Sequence, residues 1–188
     1  MPPKTEGKNP KTSSAEPSLG RQTTSASKKS GEVTIRPITT EDLENAARLI
    51  ARLKRLNGEF DPLLKTSEEL DEEALKSTKK AMSNEDSILL VASSEGKKIV
   101  GVVKADIRDR TYYEPRMEGA IVEFYILPEF RRGNLGKDLL SSVSEALKNK
   151  GAELITAEFP SQNEIAKKFY TKLGFRSLTN VYAKSETA

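Results

Sequence analysis

The 188-residue chain has no cysteine, no histidine and no tryptophan. Without cysteine there is no disulfide, no thiolate zinc site and no cysteine nucleophile. Without histidine the commonest general base and the commonest metal ligand are both missing. Acid–base chemistry then falls to carboxylates, tyrosine, lysine or water, and no metal is expected. No run approaches the ~18 apolar residues of a membrane span, and the N-terminus lacks the apolar core of a signal peptide. The default expectation is a cytoplasmic protein with no membrane partner.

The formal charge of +3 is unevenly placed. Residues 1–31 hold six Lys/Arg and two Glu, which leaves −1 for residues 32–188. A nearly neutral folded part lacks the basic footprint of a nucleic-acid domain. Residues 1–31 also contain four prolines and ten Ser/Thr, with only Met1, Ala15, Leu19 and Ala26 as apolar residues. Such a stretch cannot bury enough surface to offset its ordering entropy, so it is expected to be a disordered tail ahead of one domain, 32–188. Lys28 and Lys29 could anchor the tail on a polyanion, or it is simply solvated.

What is present reads as alternating strands and helices. Residues 33–37 alternate and end at Pro37, as a short strand does. Thr39 and Asp42 offer a cap, after which Leu43, Ala46, Ala47, Ile50, Leu53 and Leu56 form one stripe of a helix reaching Gly58. A loop over residues 57–64 follows, then a helix over 68–82 with acids early and lysines late, both opposing the helix dipole. Residues 87–93 and 98–109 read as strands joined at Glu95 and Gly96, and residues 110–116 as a long hairpin tip. Tyr112 and Tyr113 there either line a groove or pack on the hairpin.

Residues 121–127 are apolar except for Glu123, the composition of a strand buried on both faces, and Pro128 stops the ladder. Arg131 and Arg132 lead into Gly133, Asn134 and Gly136, and from Leu135 the apolar positions fall at helical spacing. A loop of backbone N–H groups opening onto a helix start, beside Arg131, Arg132 and Lys137, suits a phosphate. Glycine, and asparagine better than other residues, allows the left-handed backbone by which a loop curls around such a group. The P-loop spacing is absent, since Gly136 and Lys137 are followed by Asp138, and the dinucleotide glycines are missing too. Alone, the loop could also be a plain strand-to-helix turn with a basic rim. Residues 153–159 make a further strand. Ser161 and Glu164 form a capping-box pair for a helix carrying Ile165, Ala166, Phe169, Tyr170 and Leu173, closed by Gly174, with terminal strands from Phe175 onward.

The run Arg131-Arg132-Gly133-Asn134-Leu135-Gly136 resembles the coenzyme A pyrophosphate loop of the GNAT acetyltransferase superfamily, Gln/Arg-x-x-Gly-x-Gly/Ala. Asn134 stands where the first motif glycine is usual. Downstream, Asn163-x-x-Ala166-x-x-Phe169-Tyr170-x-x-x-Gly174-Phe175 is similar to that family's second motif. The resemblance spans about residues 33–183. It implies an α/β (α+β) fold of the order β-α-α-β-β-β-α-β-α-β-β, a mixed, strongly twisted sheet with helices on both faces.

For function, the resemblance implies acetyl-CoA as co-substrate and an amine acceptor, protein or small molecule, attacking the thioester directly. Arg131, Arg132, Gly133, Asn134, Leu135, Gly136 and Lys137 would hold the pyrophosphate. Phe124 and Ile126 would flank the pantetheine, with the Ile126 N–H polarising the thioester carbonyl. Tyr170 takes the general-acid position, though helical periodicity would also make it ordinary packing. Asn163 bonds the coenzyme arm or caps its helix. Glu123, the lone acid in an apolar strand, is the candidate base, because burial favours the protonated carboxyl; an ion-paired residue is the other reading. Glu59, Asp61, Glu114 and Glu118 would suit a cationic acceptor. A non-catalytic acyl-CoA sensor on the same fold stays open, as does a homodimer.

Overall fold

The computed structural model describes residues 33–186. The expected disorder of residues 1–31 lies outside them. The described chain runs β1 (Thr34–Pro37), α1 (Leu43–Phe60), α2 (Leu70–Met82), β2 (Ser87–Ser94), β3 (Lys98–Asp109), β4 (Met117–Ile126), α3 (Leu135–Asn149), β5 (Leu154–Ala157) and α4 (Glu164–Lys172). The strands form one sheet in the order β1-β2-β3-β4-β5. The first three pairings are antiparallel; β4 and β5 are parallel, and α3 supplies the crossover that a parallel pair needs.

Each face of the sheet has its own core. On one, Ala47, Ile50 and Ala51 of α1 and Leu70 and Ala74 of α2 pack on Val91, Val100, Val102, Tyr125 and Leu127. On the other, Leu139, Leu140, Val143 and Leu147 of α3, with Tyr170 of α4, pack on Ile88, Val103, Ile121 and Ile126. The α/β class with helices on both faces follows directly from these two apolar layers.

Three expectations are corrected. The first helix does not stop at Gly58 but continues to Phe60. Gly58 serves packing instead, since a Cβ there would meet the Leu64 carbonyl oxygen at 3.2 Å. The residues expected to form a loop begin only at Asp61, whose side chain accepts from the Leu63 N–H at 2.9 Å and caps a short turn. In the second correction, Asn163 rather than Ser161 caps α4, with Oδ1 accepting from the Ala166 N–H at 3.0 Å. The third concerns the terminal strands. Among the described residues, none after Phe175 is in a strand, and Val181 and Tyr182 are 95% and 92% exposed. An alternating segment becomes a strand only where a sheet edge takes its hydrogen bonds, and this one meets none.

Candidate active site

The site is built where β4 leaves β5. Pairing of β3 with β4 jumps from Lys104↔Glu123 to Ala105↔Ile121, so Val122 is the extra residue of a bulge. On the other edge, β4 pairs with β5 only from Glu118 to Ile121, and the last link is Glu158 N–H to Ile121 O, 2.9 Å. The Leu127 N–H bonds back to Val100 O on β3 at 2.9 Å. Backbone groups alternate along a strand, so those of Tyr125 and Leu127 serve β3 while those of Phe124 and Ile126 face the gap that β5 has left. The same alternation sends the side chains of Glu123, Tyr125 and Leu127 toward α1, and those of Phe124 and Ile126 toward α3 and α4.

Past Ile126, a short turn over Pro128–Phe130 leads into the glycine loop. The Arg131 N–H bonds Pro128 O, and the first bond of α3 is Asp138 N–H to Asn134 O. The six N–H groups between them, from Arg132 to Lys137, donate no bond among the described residues. Gly133 has φ +155° and open space where a Cβ would be. Asn134 does not use the left-handed backbone that was the reason to expect asparagine there. Its φ is −89° and ψ −4°, and Gly133 alone makes the turn. A Cβ on Gly136 would lie 3.3 Å from the Phe169 ring, so this glycine lets the start of α3 close on α4.

The three cations are not equivalent. Arg131 turns back: its Nε donates to Ile126 O at 2.8 Å and its guanidinium lies 5.3 Å from the Tyr125 ring centroid. Arg132 and Lys137 are exposed and form no ion pair among the described residues. Six unbonded donors around one turn, at the positive end of a helix and beside two free cations, can hold a diphosphate.

Tyr170 sits on the α3/α4 side of the gap, 6% exposed. Its ring meets Phe124 of β4, Phe169, Phe175 and, beyond β5, Phe159. Burial pushes the phenol pKa above its ordinary value, so the hydroxyl keeps its proton. That hydroxyl makes no hydrogen bond among the described residues.

Glu123 lies on the opposite face of β4 and is 7% exposed. Its Oε1 is 3.2 Å from Lys54 Nζ on α1, and its Oε2 is buried with no donor. Asn57 Oδ1, one turn beyond Lys54, is likewise buried with no donor. Sequence reasoning passed over Lys54, although a lysine at helical spacing from Ile50 marks a polar group beside an apolar stripe, and it placed Asn57 in the loop over residues 57–64, whereas Asn57 lies in α1. Of the acids offered for a cationic acceptor, Asp61 is engaged in its cap, and Glu118 bonds Thr156 and pairs with Arg110. Glu59 and Glu114 are on or near the surface. Tyr112 and Tyr113 are exposed at the hairpin tip, the Arg110 guanidinium over the Tyr113 ring.

Residues 50–175 match the family model described as "Acetyltransferase (GNAT) family". The chain belongs to this GNAT acetyltransferase family. No curated relative matches it. Solved structures share its fold. A tetramutant of BH1408 protein from Bacillus halodurans aligns with TM-score 0.71 and 21% identity, over 81% of this chain and 99% of that one. AAC(6')-Iy, solved with the bisubstrate analog CoA-S-monomethyl-acetylneamine, aligns with TM-score 0.67 and 19% identity, over 84% and 100%. AAC(6')-IG from Acinetobacter haemolyticus, an aminoglycoside 6'-N-acetyltransferase, gives 0.66 and 18%, over 82% and 99%. At these identities the likeness of this GNAT protein to each is one of fold. Among its described residues no helix is long and apolar enough to cross a membrane, and no group of three or more acidic side chains could hold a metal.

Proposed function

We propose that the protein moves an acetyl group from acetyl-CoA to a primary amine, protein-borne or small, by direct attack in a ternary complex. The observation that carries this reading is the placing of a buried carboxylate and a buried phenol on opposite faces of β4, where its edge opens. Direct transfer needs a base on the acceptor's side and a proton source on the sulfur's side, and no covalent enzyme intermediate.

In this reading the N–H groups of residues 132–137 bind the diphosphate, with Arg132 and Lys137 adding charge. The Phe124 N–H and C=O, on the edge that β5 has left, bind the amide-bearing arm as an extra strand would. The Ile126 N–H donates to the thioester carbonyl, where negative charge grows in the transition state. Arg131, by holding Ile126 O, fixes that peptide plane. Glu123 accepts the proton that the acceptor's ammonium must lose, directly or through water. Tyr170, kept protonated by burial, gives its proton to the departing sulfur. Asn163 Oδ1 is committed to its cap, so a bond to the arm would come from its amide nitrogen. AAC(6')-Iy, whose analog joins CoA to an acetylated aminoglycoside, supports a small cationic amine as one acceptor class.

The test is calorimetry with acetyl-CoA, followed by thiol release against a panel of primary amines for the wild type and Tyr170→Phe. Binding heat with amine-dependent thiol release, slowed in the variant, supports the proposal. Binding heat with no release against any amine would make the protein a sensor, and no heat would remove the coenzyme altogether.

A further inference from the structure

Lys54 is the one lysine of the described residues that pairs with the candidate base, at 3.2 Å from Nζ to Oε1. Its surroundings are those an acceptor nitrogen requires. The partner carboxylate is within proton-transfer distance and its side chain is only 8% exposed, while the Lys54 side chain is 38% exposed and therefore open to a reagent. The face of β4 toward α3 and α4 is filled by Phe124, Ile126, Tyr170 and their neighbours, so an amine reaches the gap from the α1 face, where Lys54 stands. That face also has two buried oxygens with no donor, Glu123 Oε2 and Asn57 Oδ1. Buried acceptors left unmatched are costly, and they mark a place that receives N–H donors. Lys104, opposite Glu123 in the ladder, forms no ion pair with it.

We propose that Lys54 is an intramolecular acceptor, so that with no external amine in place the protein acetylates its own Lys54. This rests on the acetyltransferase reading above. The Lys54 ammonium passes a proton to Glu123, and the freed lone pair attacks the thioester carbonyl carbon. The C–N bond forms, the C–S bond breaks, and the sulfur leaves as the coenzyme A thiol with a proton from Tyr170. Of the two protons the ammonium loses, one reaches solvent through Glu123 and the other restores Tyr170. The product is an uncharged amide in the acceptor's place, which closes the site to further amines. Lys54 therefore makes the activity self-limiting when amine is scarce.

The experiment incubates the full chain with acetyl-CoA and no added amine, and follows intact mass and peptide maps. One acetyl group per chain at Lys54 is expected, at a rate per molecule that does not change with protein concentration and is about 100-fold slower in Glu123→Gln. Lys54→Arg, which keeps the charge, shows no such incorporation, and calorimetry with acetyl-CoA confirms that each variant is folded. Coenzyme binding and turnover of panel amines, with Lys54 left unmodified when amine is withheld, would overturn this inference alone. So would acetylation that rises with protein concentration, that favours Lys104 or the surface lysines, or that is undiminished in Glu123→Gln. Absence of binding heat would overturn the functional reading and this inference together.

Discussion

The rings of Tyr170 and Phe159 stack with their centroids 5.3 Å apart and their planes within 8° of parallel. Phe159 follows β5, and on its other side Tyr170 meets Phe124 of β4 edge-on at 6.4 Å. One tyrosine therefore touches β4 and the segment just past the end of β5, at the place where the two separate. These ring contacts hold the side chain in place without help from its oxygen.

Tyr170→Phe thus separates packing from proton transfer. The stack and the edge contacts survive, and the lost hydroxyl has no hydrogen-bond partner among the described residues, so thermal stability should change by less than about 0.5 kcal/mol. Acetyl-CoA affinity by calorimetry should be unchanged, while kcat falls on the order of 100-fold if the hydroxyl is the acid. Because burial raises the phenol pKa, wild-type kcat should show no alkaline fall from Tyr170 up to about pH 10, the ordinary phenol value. A variant with full kcat would remove Tyr170 from the chemistry.

The glycine loop and both helices around it were legible because a positive φ, a helix start and an apolar stripe each restrict residue type locally. The bulge at Val122 was not. Ala120, Ile121 and Val122 are all apolar, so the sequence reads the same in either strand phase and only the ladder reveals the slip. Lys54 was hidden because one long cationic side chain at the margin of a stripe normally reaches water. Ser161 and Asn163 are both good caps two residues apart, and which one serves depends on how the chain enters from β5. The C-terminal strands failed for a related reason, since pairing is decided by a partner edge that local pattern cannot supply.

Asn134 departs from the family's glycine, yet its right-handed backbone asks for none. Asn134→Gly should shift the acetyl-CoA dissociation constant by less than about threefold and stability by only a few tenths of a kcal/mol. Gly133→Val, placed at φ +155°, should cost about 1–3 kcal/mol in strain or loop rearrangement and weaken coenzyme binding accordingly. Calorimetry on the two variants compares them directly. A large gain from Asn134→Gly would mean that the loop changes its backbone when occupied.

Asp42 is 5% exposed and accepts from both Arg36 terminal nitrogens, at 2.5 and 2.9 Å, and from the Thr39 N–H and hydroxyl. The Arg36 guanidinium, with the Thr39 donors, holds its carboxyl well below the usual carboxylate range. A folded-state pKa below the unfolded value of about 3.9 gives stability that is full above that pH and is lost as pH falls toward the folded value. Asp42→Asn should cost about 1–3 kcal/mol at pH 7 by urea unfolding. The gap between the two proteins should narrow only below about pH 4. A gap that closes near neutral pH would show that the pair does not hold Asp42 as described.

Gly119 sets how closely α3 approaches β4. A Cβ there would lie 2.8 Å from both Leu147 methyl carbons and 3.0 Å from Leu147 Cβ, and Leu147 is fully buried with nowhere to move. Gly119→Ala should destabilise by about 1–3 kcal/mol through overpacking. Leu147→Ala should cost about 2–5 kcal/mol through the cavity it leaves. Combined, the added methyl enters the space the leucine vacates, so the double variant should be more stable than the sum of the two by at least ~0.5 kcal/mol. Gly119 also pairs with Ile155 in the short β4–β5 ladder, which ends two residues later at the gap. If α3 is held by this contact, Gly119→Ala should also weaken acetyl-CoA binding, because α3 carries the N–H groups of residues 135–137. A strictly additive cycle with unchanged binding would show that the helix shifts freely and that the cradle is positioned from elsewhere.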